Sequence, residues 1–278
     1  MTQIETAQYF RSLHRRAGLP LLLPNAWDVA SARLVAQAGA AAVATTSAGV
    51  SWSHGVADGE HLGRDRALDL ITRVVAAVDV PVTADVEGGY AEEPSGVAET
   101  IRGVIAAGAA GVNLEDAHHG SGLPLRPVEA QVERIAAARA VADAEGVPLF
   151  VNARVDTYVG AVGDPALRLE ETLSRAGAYV AAGADGIFVP GVTDPELVSA
   201  LVAGIDAPVN VLAGPGAPTT AELARLGVAR ISLGSSIAEA AYAVVRRSTK
   251  ELLATGSYTA LTDALDYADV NTLLRSRP

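Results

Sequence analysis

The stretch Val80-Pro81-Val82-Thr83-Ala84-Asp85-Val86-Glu87-Gly88-Gly89-Tyr90 decides the fold. Its first five residues predict a short apolar strand. Two carboxylates two residues apart follow, and then a glycine turn. Residues i and i+2 of a strand share a face, so Asp85 and Glu87 can converge just where the backbone opens into a loop. Convergent carboxylates repel each other and cost desolvation unless a cation or a proton lies between them. A hard divalent metal is the simplest resident, because Mg2+ takes oxygen ligands. Two solvated loop acids are the plainer alternative.

Working outward, the same sentence repeats along the chain. A helical pattern ends at a glycine, a short apolar strand follows, and polar or small residues come next. The predicted strands are Leu21–Leu23, Ala41–Thr45, Val80–Ala84, Gly111–Leu114, Pro148–Val151, Gly186–Val189, Pro208–Leu212 and Ala229–Leu233. Helical patterns fill the gaps: 3–17, 29–38, 64–78, 94–107, 127–145, 168–182, 195–203, 219–226 and 237–253, with two more in the tail at 258–265 and 269–275. Gly39, Gly108, Gly183 and Gly227 stand at helix-to-strand joints, where glycine supplies the left-handed cap.

Eight apolar strands alternating with helices predict an α/β fold, a (β/α)8 TIM barrel. Strands this uniformly apolar suit burial on both faces inside a helical ring. An open doubly wound sheet fits less well, because no glycine-rich phosphate loop follows the first strand. The 278 residues are half hydrophobic and hold no Pro/Gly/Ser linker, which predicts one barrel domain over 1–278 with a helical extension from about 237.

The formal net charge of −11 argues against a nucleic-acid or anionic-membrane partner. The chain has no cysteine, which excludes disulfides, thiolate metal sites and Cys nucleophiles. It shows no signal-peptide pattern and no apolar run of the roughly 20 residues that span a bilayer. A soluble, cytoplasmic protein is the expectation.

In a parallel barrel the active site lies at the carboxyl ends of the strands. Asn25, Trp27, Asp28, Ser47, Asp85, Glu87, Glu115, Asp116, Asn152, Arg154, Asp156 and Asn210 all fall there, and Asp58 comes from the long loop after the second strand. The pattern is an anionic metal cradle with one cation opposite, suited to a small acid coordinated to Mg2+.

With these residues in place the chain resembles the isocitrate lyase/phosphoenolpyruvate mutase superfamily. The carrying motifs are Thr46-Ser47-Ala48-Gly49, Ala84-Asp85-Val86-Glu87-Gly88-Gly89-Tyr90, Val112-Asn113-Leu114-Glu115-Asp116 and Asn152-Ala153-Arg154-Val155-Asp156. The resemblance implies Mg2+, with Mn2+ as a possible substitute, held directly by Asp85 and through water by Asp58, Glu87 and Glu115. It implies a 2-oxo acid or dicarboxylate on that metal, its carboxylate resting on Ser47 and the amides of Ala48 and Gly49, with Arg154 as a further clamp. It also implies a barrel whose last helix swaps between subunits of a homodimer or homotetramer, and chemistry that passes through a pyruvate-like enolate.

The segment Glu115-Asp116-Ala117-His118-His119-Gly120-Ser121-Gly122-Leu123-Pro124 departs from the resemblance. It lacks the Lys-Lys-Cys-Gly-His loop of the lyases, the Lys, Asn and Ser of the mutase gating loop, and the Thr of a phosphonopyruvate hydrolase. His118 and His119 are the candidates for the missing acid/base, since histidine titrates near neutral pH. Tyr90, Ser121 and His54 come next. Asn210 is a candidate for orienting the distal part of a substrate. Three functions follow: a C–C lyase acting through an enolate, a P–C bond enzyme of the mutase or phosphonopyruvate hydrolase type, and a reduced protein that binds a 2-oxo acid without turning it over.

Overall fold

The computed structural model describes residues 1–16, 18–120, 122 and 124–275. Among them nine strand segments, all parallel, form one sheet: β1 (Leu21–Leu23), β2 (Asn25–Ala26), β3 (Val43–Thr45), β4 (Val82–Asp85), β5 (Gly111–Glu115), β6 (Phe150–Arg154), β7 (Gly186–Val189), β8 (Val209–Leu212) and β9 (Arg230–Ser232). The order is β1-β9-β8-β7-β6-β5-β4-β3-β2. β1 is the predicted first strand, and β2 continues the same stave beyond Pro24, which has no N–H for the ladder. Leu21–Leu23 pairs with Arg230–Ser232, and Asn25–Ala26 pairs with Ala44–Thr45. Both ends of the sheet therefore belong to the same stave, and the sheet curls into an eight-stave barrel.

The register sets which side chains share the interior. Asp85 pairs with Asn113 and Asn113 with Asn152. Two residues further along β5 and β6, Glu115 pairs with Arg154, and the same register line runs on through Phe188 and Asn210 to Arg230. Asn152 Nδ2 donates to Asn113 Oδ1 at 2.8 Å, and Ser232 Oγ donates to Asn210 Oδ1 at 3.1 Å, so the middle of the barrel is a polar layer.

The helices are α1 (Gln3–Leu13), α2 (Val29–Gln37), α3 (Ser47–Ser53), α4 (Arg64–Val75), α5 (Pro94–Ala106), α6 (Val128–Ala144), α7 (Arg168–Ala181), α8 (Pro195–Gly204), α9 (Thr220–Arg225), α10 (Ser236–Thr255) and α11 (Tyr267–Arg275). The four joint glycines all have φ between 88° and 107°, as their capping role requires. α1 starts in a capping box between Thr2 and Glu5 and closes the bottom of the barrel. Phe10 meets Phe150 edge-on at 5.8 Å, and His14 stacks on Phe150 at 3.9 Å.

Three expectations change. The strand predicted over 148–151 runs instead from Phe150 to Arg154, because Pro148 cannot donate to the ladder. Ser47–Ser53, read as loop, is helical. The helix expected over 258–265 is only a 3-10 turn, Thr259–Leu261, because the Glu251 carboxylate gathers the amides of Thr259 and Ala260 just after α10 ends at Gly256.

Candidate active site

β4 delivers Asp85 to the barrel mouth and the turn after it delivers Glu87. Asp85 Oδ2 accepts from the Ser47 amide at 3.2 Å, and its own N–H is held by Thr45 Oγ1 at 2.8 Å. Glu87 is buried with φ 50°, in the left-handed region. Its carboxylate accepts from the amides of Gly59 at 2.9 Å and of Glu60, and from Tyr90 Oη at 3.1 Å. The strand periodicity that suggested convergence is thus replaced by a turn, which carries Glu87 toward the Asp58 loop. Burial, then the charge of Asp58, pushes Glu87 up to about 8. Burial and Glu115 push Asp85 up as well.

Glu115, at the end of β5, is bound on both oxygens. Arg154 Nη1 lies 2.7 Å from Oε2, and His119 Nε2 lies 2.7 Å from Oε1. Burial opposes its charge, but Arg154 and His119 together hold its carboxyl below the usual range. Arg154 also reaches Asp156 through Nε at 2.6 Å. Arg154 is therefore fixed between two carboxylates, and its charge also acts on Asp85.

Ser47 opens α3, and the first intrahelical bond there is from Val50 to Thr46 O at 3.0 Å. The amides of Ala48 and Gly49 precede that bond and have no intrahelical acceptor. Gly49 cannot be larger: a Cβ would lie 2.8 Å from Thr46 Cγ2, 3.0 Å from Trp27 Cβ and 3.2 Å from Ala238 Cβ. Trp27 is a packing residue against this helix.

The two neighbouring histidines part company. His119 turns to Glu115, and that bond, against burial, raises it above the ordinary histidine value. Its Nδ1 faces Gly59, on the Asp58 loop. His118 turns instead to Glu92 at 3.2 Å, a carboxylate that also takes Arg126 at 2.9 Å. The segment is short and tied at its base by the Ala117–Leu125 bridge. Ser121 lies outside the described residues. His54 ends α3, exposed, with Nδ1 3.0 Å from Val50 O. Asp58 is exposed on its loop. Asn210 is buried one pleat below the mouth, with no partner for its Nδ2. Asp116 is fully buried and structural: it accepts from Asp156 N at 2.9 Å and Tyr179 Oη at 2.8 Å, and pairs with Arg175 at 3.2 Å.

Sequence reading missed Glu60 and Arg134. Glu60 Oε1 accepts from Tyr90 N at 2.7 Å, which ties the two rim loops together. Arg134, on α6, donates to the carbonyls of Ala91 at 2.8 Å and Glu92 at 2.5 Å, and to Gly88. The available signal was polar residues on a buried helix face: Gln131, Arg134 and Ala138 lie on one side of α6, and all are buried.

Among the described residues no three His, Asp or Glu side chains converge at direct-ligand distance. The donor set nevertheless suits a hard cation. Asp85, half-buried, and Glu87 and Glu115, both buried, are all oxygen donors that repel one another, with Arg154 against them. A divalent ion near Asp85, reached by the others through water, would relieve that repulsion.

Comparison with known proteins gives this geometry relatives. The sequence profile of phosphoenolpyruvate phosphomutase matches residues 10–253. An uncharacterised protein of Mycobacterium tuberculosis is 41% identical over 229 residues, covering 81% of each chain. A candidate lyase/mutase of Burkholderia cenocepacia superposes with a TM-score of 0.90 at 40% identity, covering 99% of this chain and 97% of that one. A phosphonopyruvate hydrolase crystallised with oxalate and Mg2+ superposes with a TM-score of 0.84 at 26% identity, covering 98% and 95%. With the profile spanning most of the barrel, the chain belongs to the phosphoenolpyruvate phosphomutase family, within the isocitrate lyase/phosphoenolpyruvate mutase superfamily.

Proposed function

We propose that this protein is a Mg2+-dependent enzyme that makes or breaks a C–C bond of a small 2-oxo acid, or of its aldol-type precursor, through an enolate. The carrying observation is the placement of Asp85, Glu87, Glu115 and Arg154 on one rim, with the Ser47 amide fixed to Asp85. The phosphonopyruvate hydrolase relative, with its oxalate and Mg2+, supports both the ion and the ligand class. Mn2+ offers the same oxygen preference.

Asp85 would hold the ion directly, and Asp58, Glu87 and Glu115 would reach it through water. Mg2+, when bound, supplies Lewis-acid stabilisation of charge developing on a substrate oxygen. The chain's own groups do the rest. Ser47 and the amides of Ala48 and Gly49 receive the substrate carboxylate. Arg154, immobilised by Glu115 and Asp156, adds fixed positive charge beside the enolate oxygen. His119 holds the proton that must move, with Glu115 keeping its ring in place. The P–C alternative has less support, because nothing after β5 supplies the mutase loop. A binding protein without turnover is the remaining rival, and it predicts oxalate binding without product from any 2-oxo acid.

Asp85→Ala should abolish Mg2+-dependent binding of oxalate by calorimetry. Wild-type binding of oxalate that persists unchanged in EDTA would refute the metal reading.

The same proposal covers assembly. Of the twenty residues of α10 only Ala238 is buried, while Val245, Leu252 and Leu253 are exposed. A groove of about 660 Å³, lined by Leu13, Leu19, Leu21, Val35 and Ile237, lies open on the barrel wall. An exposed apolar helix and an open apolar groove on one chain support a homodimer or homotetramer that exchanges α10.

A further inference from the structure

The proposed Mg2+ and 2-oxo acid reading leaves open the chemistry of the group on the substrate's third carbon. The barrel mouth has two unlike halves. Over β4, β5 and β6 stand the carboxylates and Arg154. Over β7 and β8 stand Phe188 and Leu212. Phe188 is the register partner of Arg154, whose guanidinium carbon lies 5.9 Å from the ring centre. Leu212 follows the inward-facing Asn210 by two residues and leans toward Gly234, its Cδ1 2.9 Å from where a Cβ would stand there.

The loops over this half carry no cation. The segments that follow β7, β8 and β9, residues 190–194, 213–219 and 233–236, contain no Lys, Arg or His. The Asn25 and Ser235 side chains there are already engaged. Asn25 Oδ1 accepts from the amides of Leu233 at 3.1 Å and Gly234 at 2.9 Å, and Ser235 Oγ donates to Glu239 at 2.7 Å. Arg230, the register partner of Asn210 on β9, is fully buried, with Nε given to Ser232, Nη2 to Asn113 and Nη1 without a partner. Asn210 Nδ2 is a single neutral donor. A second carboxylate over β7 and β8 would lose its water and meet hydrocarbon, whereas an alkyl group would gain from the same burial.

We propose that the third-carbon substituent is a small alkyl group seated against Phe188 and Leu212, so that the substrate class is an alkyl-substituted acid and not a di- or tricarboxylate. This rests on the Mg2+ and 2-oxo acid reading, and the test separates the two. Calorimetry on the Mg2+-loaded protein would compare oxalate, 2-oxobutanoate, 3-methyl-2-oxobutanoate and 2-oxoglutarate. The expected result is oxalate binding, with the alkyl acids at least about tenfold tighter than 2-oxoglutarate. Leu212→Arg should shift that preference toward 2-oxoglutarate; Leu212→Gln makes the same comparison with a smaller change if the arginine variant does not fold. Oxalate binding together with equal or tighter 2-oxoglutarate binding would overturn the alkyl seat alone. If Arg230→Met then abolished that tighter binding, the carboxylate would belong at Arg230. No binding of oxalate or of any 2-oxo acid would overturn the underlying reading as well.

Discussion

His118 and His119 are one residue apart and have unlike surroundings, and this is where the proposed chemistry is most sharply exposed to test. His119 shares a 2.7 Å contact with Glu115, while His118 faces Glu92 on the neighbouring loop. His119→Gln should lower turnover by about 100-fold or more, the usual scale of a lost acid/base, and leave Mg2+-dependent oxalate binding within a few-fold. His118→Gln should change turnover far less. Equal losses from both substitutions would remove His119 from the proton path. His14 offers a test on stability. It is buried against Phe150, its Nδ1 lies 3.0 Å from the Phe10 carbonyl, and burial and then Arg230 push it down to about 3. The folded protein therefore keeps it neutral where the unfolded chain would protonate it. Between about pH 6.5 and about 3, unfolding takes up a proton and stability falls as pH falls; above that window His14 contributes no pH dependence. The slope is up to about 1.4 kcal/mol per pH unit. His14→Phe keeps the ring contact and should flatten urea-midpoint profiles by that amount from pH 6 to 4. A variant as steep as wild type would contradict this account.

Elements, not single residues, hold the rim still. Glu87 and Tyr90 both have positive φ, a conformation non-glycine residues resist, so the 87–92 turn needs external support. Arg134 provides it from α6 by donating to three of its carbonyls. Arg134→Met should lower stability by about 2 kcal/mol or more, because buried carbonyls lose a charged donor. It should also speed amide exchange in 87–92 and weaken Mg2+-dependent oxalate binding. Lost stability with unchanged exchange in that turn would show that Arg134 only fills space. α3 makes a related point: polar and small residues at 46–49 suggested a loop, but Gly49 lets the helix pack on Trp27 and Ala238 and so aims the Ser47 amide at Asp85.

At the scale of the whole molecule, the last two helices behave differently. α11 lies on α2, with Arg33 donating to the Leu273 carbonyl at 2.7 Å. α10 keeps its apolar residues in solvent. Light scattering on the wild type should report a dimer or a multiple of it. Val245→Glu combined with Leu253→Glu should reduce the mass toward that of one 28.3 kDa chain. A wild type that is monomeric at micromolar concentration would refute the exchanged helix. Among the described residues no helix is long and apolar enough to cross a membrane.

The barrel was legible in the sequence because its cause is local and repeated: apolar strand and helical period eight times over, with Gly39, Gly108, Gly183 and Gly227 at four of the joints. The rim acids and Arg154 were legible for the same reason, since they sit at strand ends whose place in a barrel follows from the topology. The partnerships were not legible. Glu87 leaves the face that strand periodicity assigns to it because the chain turns left-handed at that residue and the amides of Gly59 and Glu60, some 27 positions away, capture its carboxylate. His119 and His118 are alike as residues, and only the approach of Glu115 from β5 and of Glu92 from the loop after β4 distinguishes them. Arg134 acts through carbonyls more than 40 residues distant. Hydrophobic periodicity is written along the chain, whereas a hydrogen bond between remote loops depends on angstrom-scale positions that exist only once the core has packed.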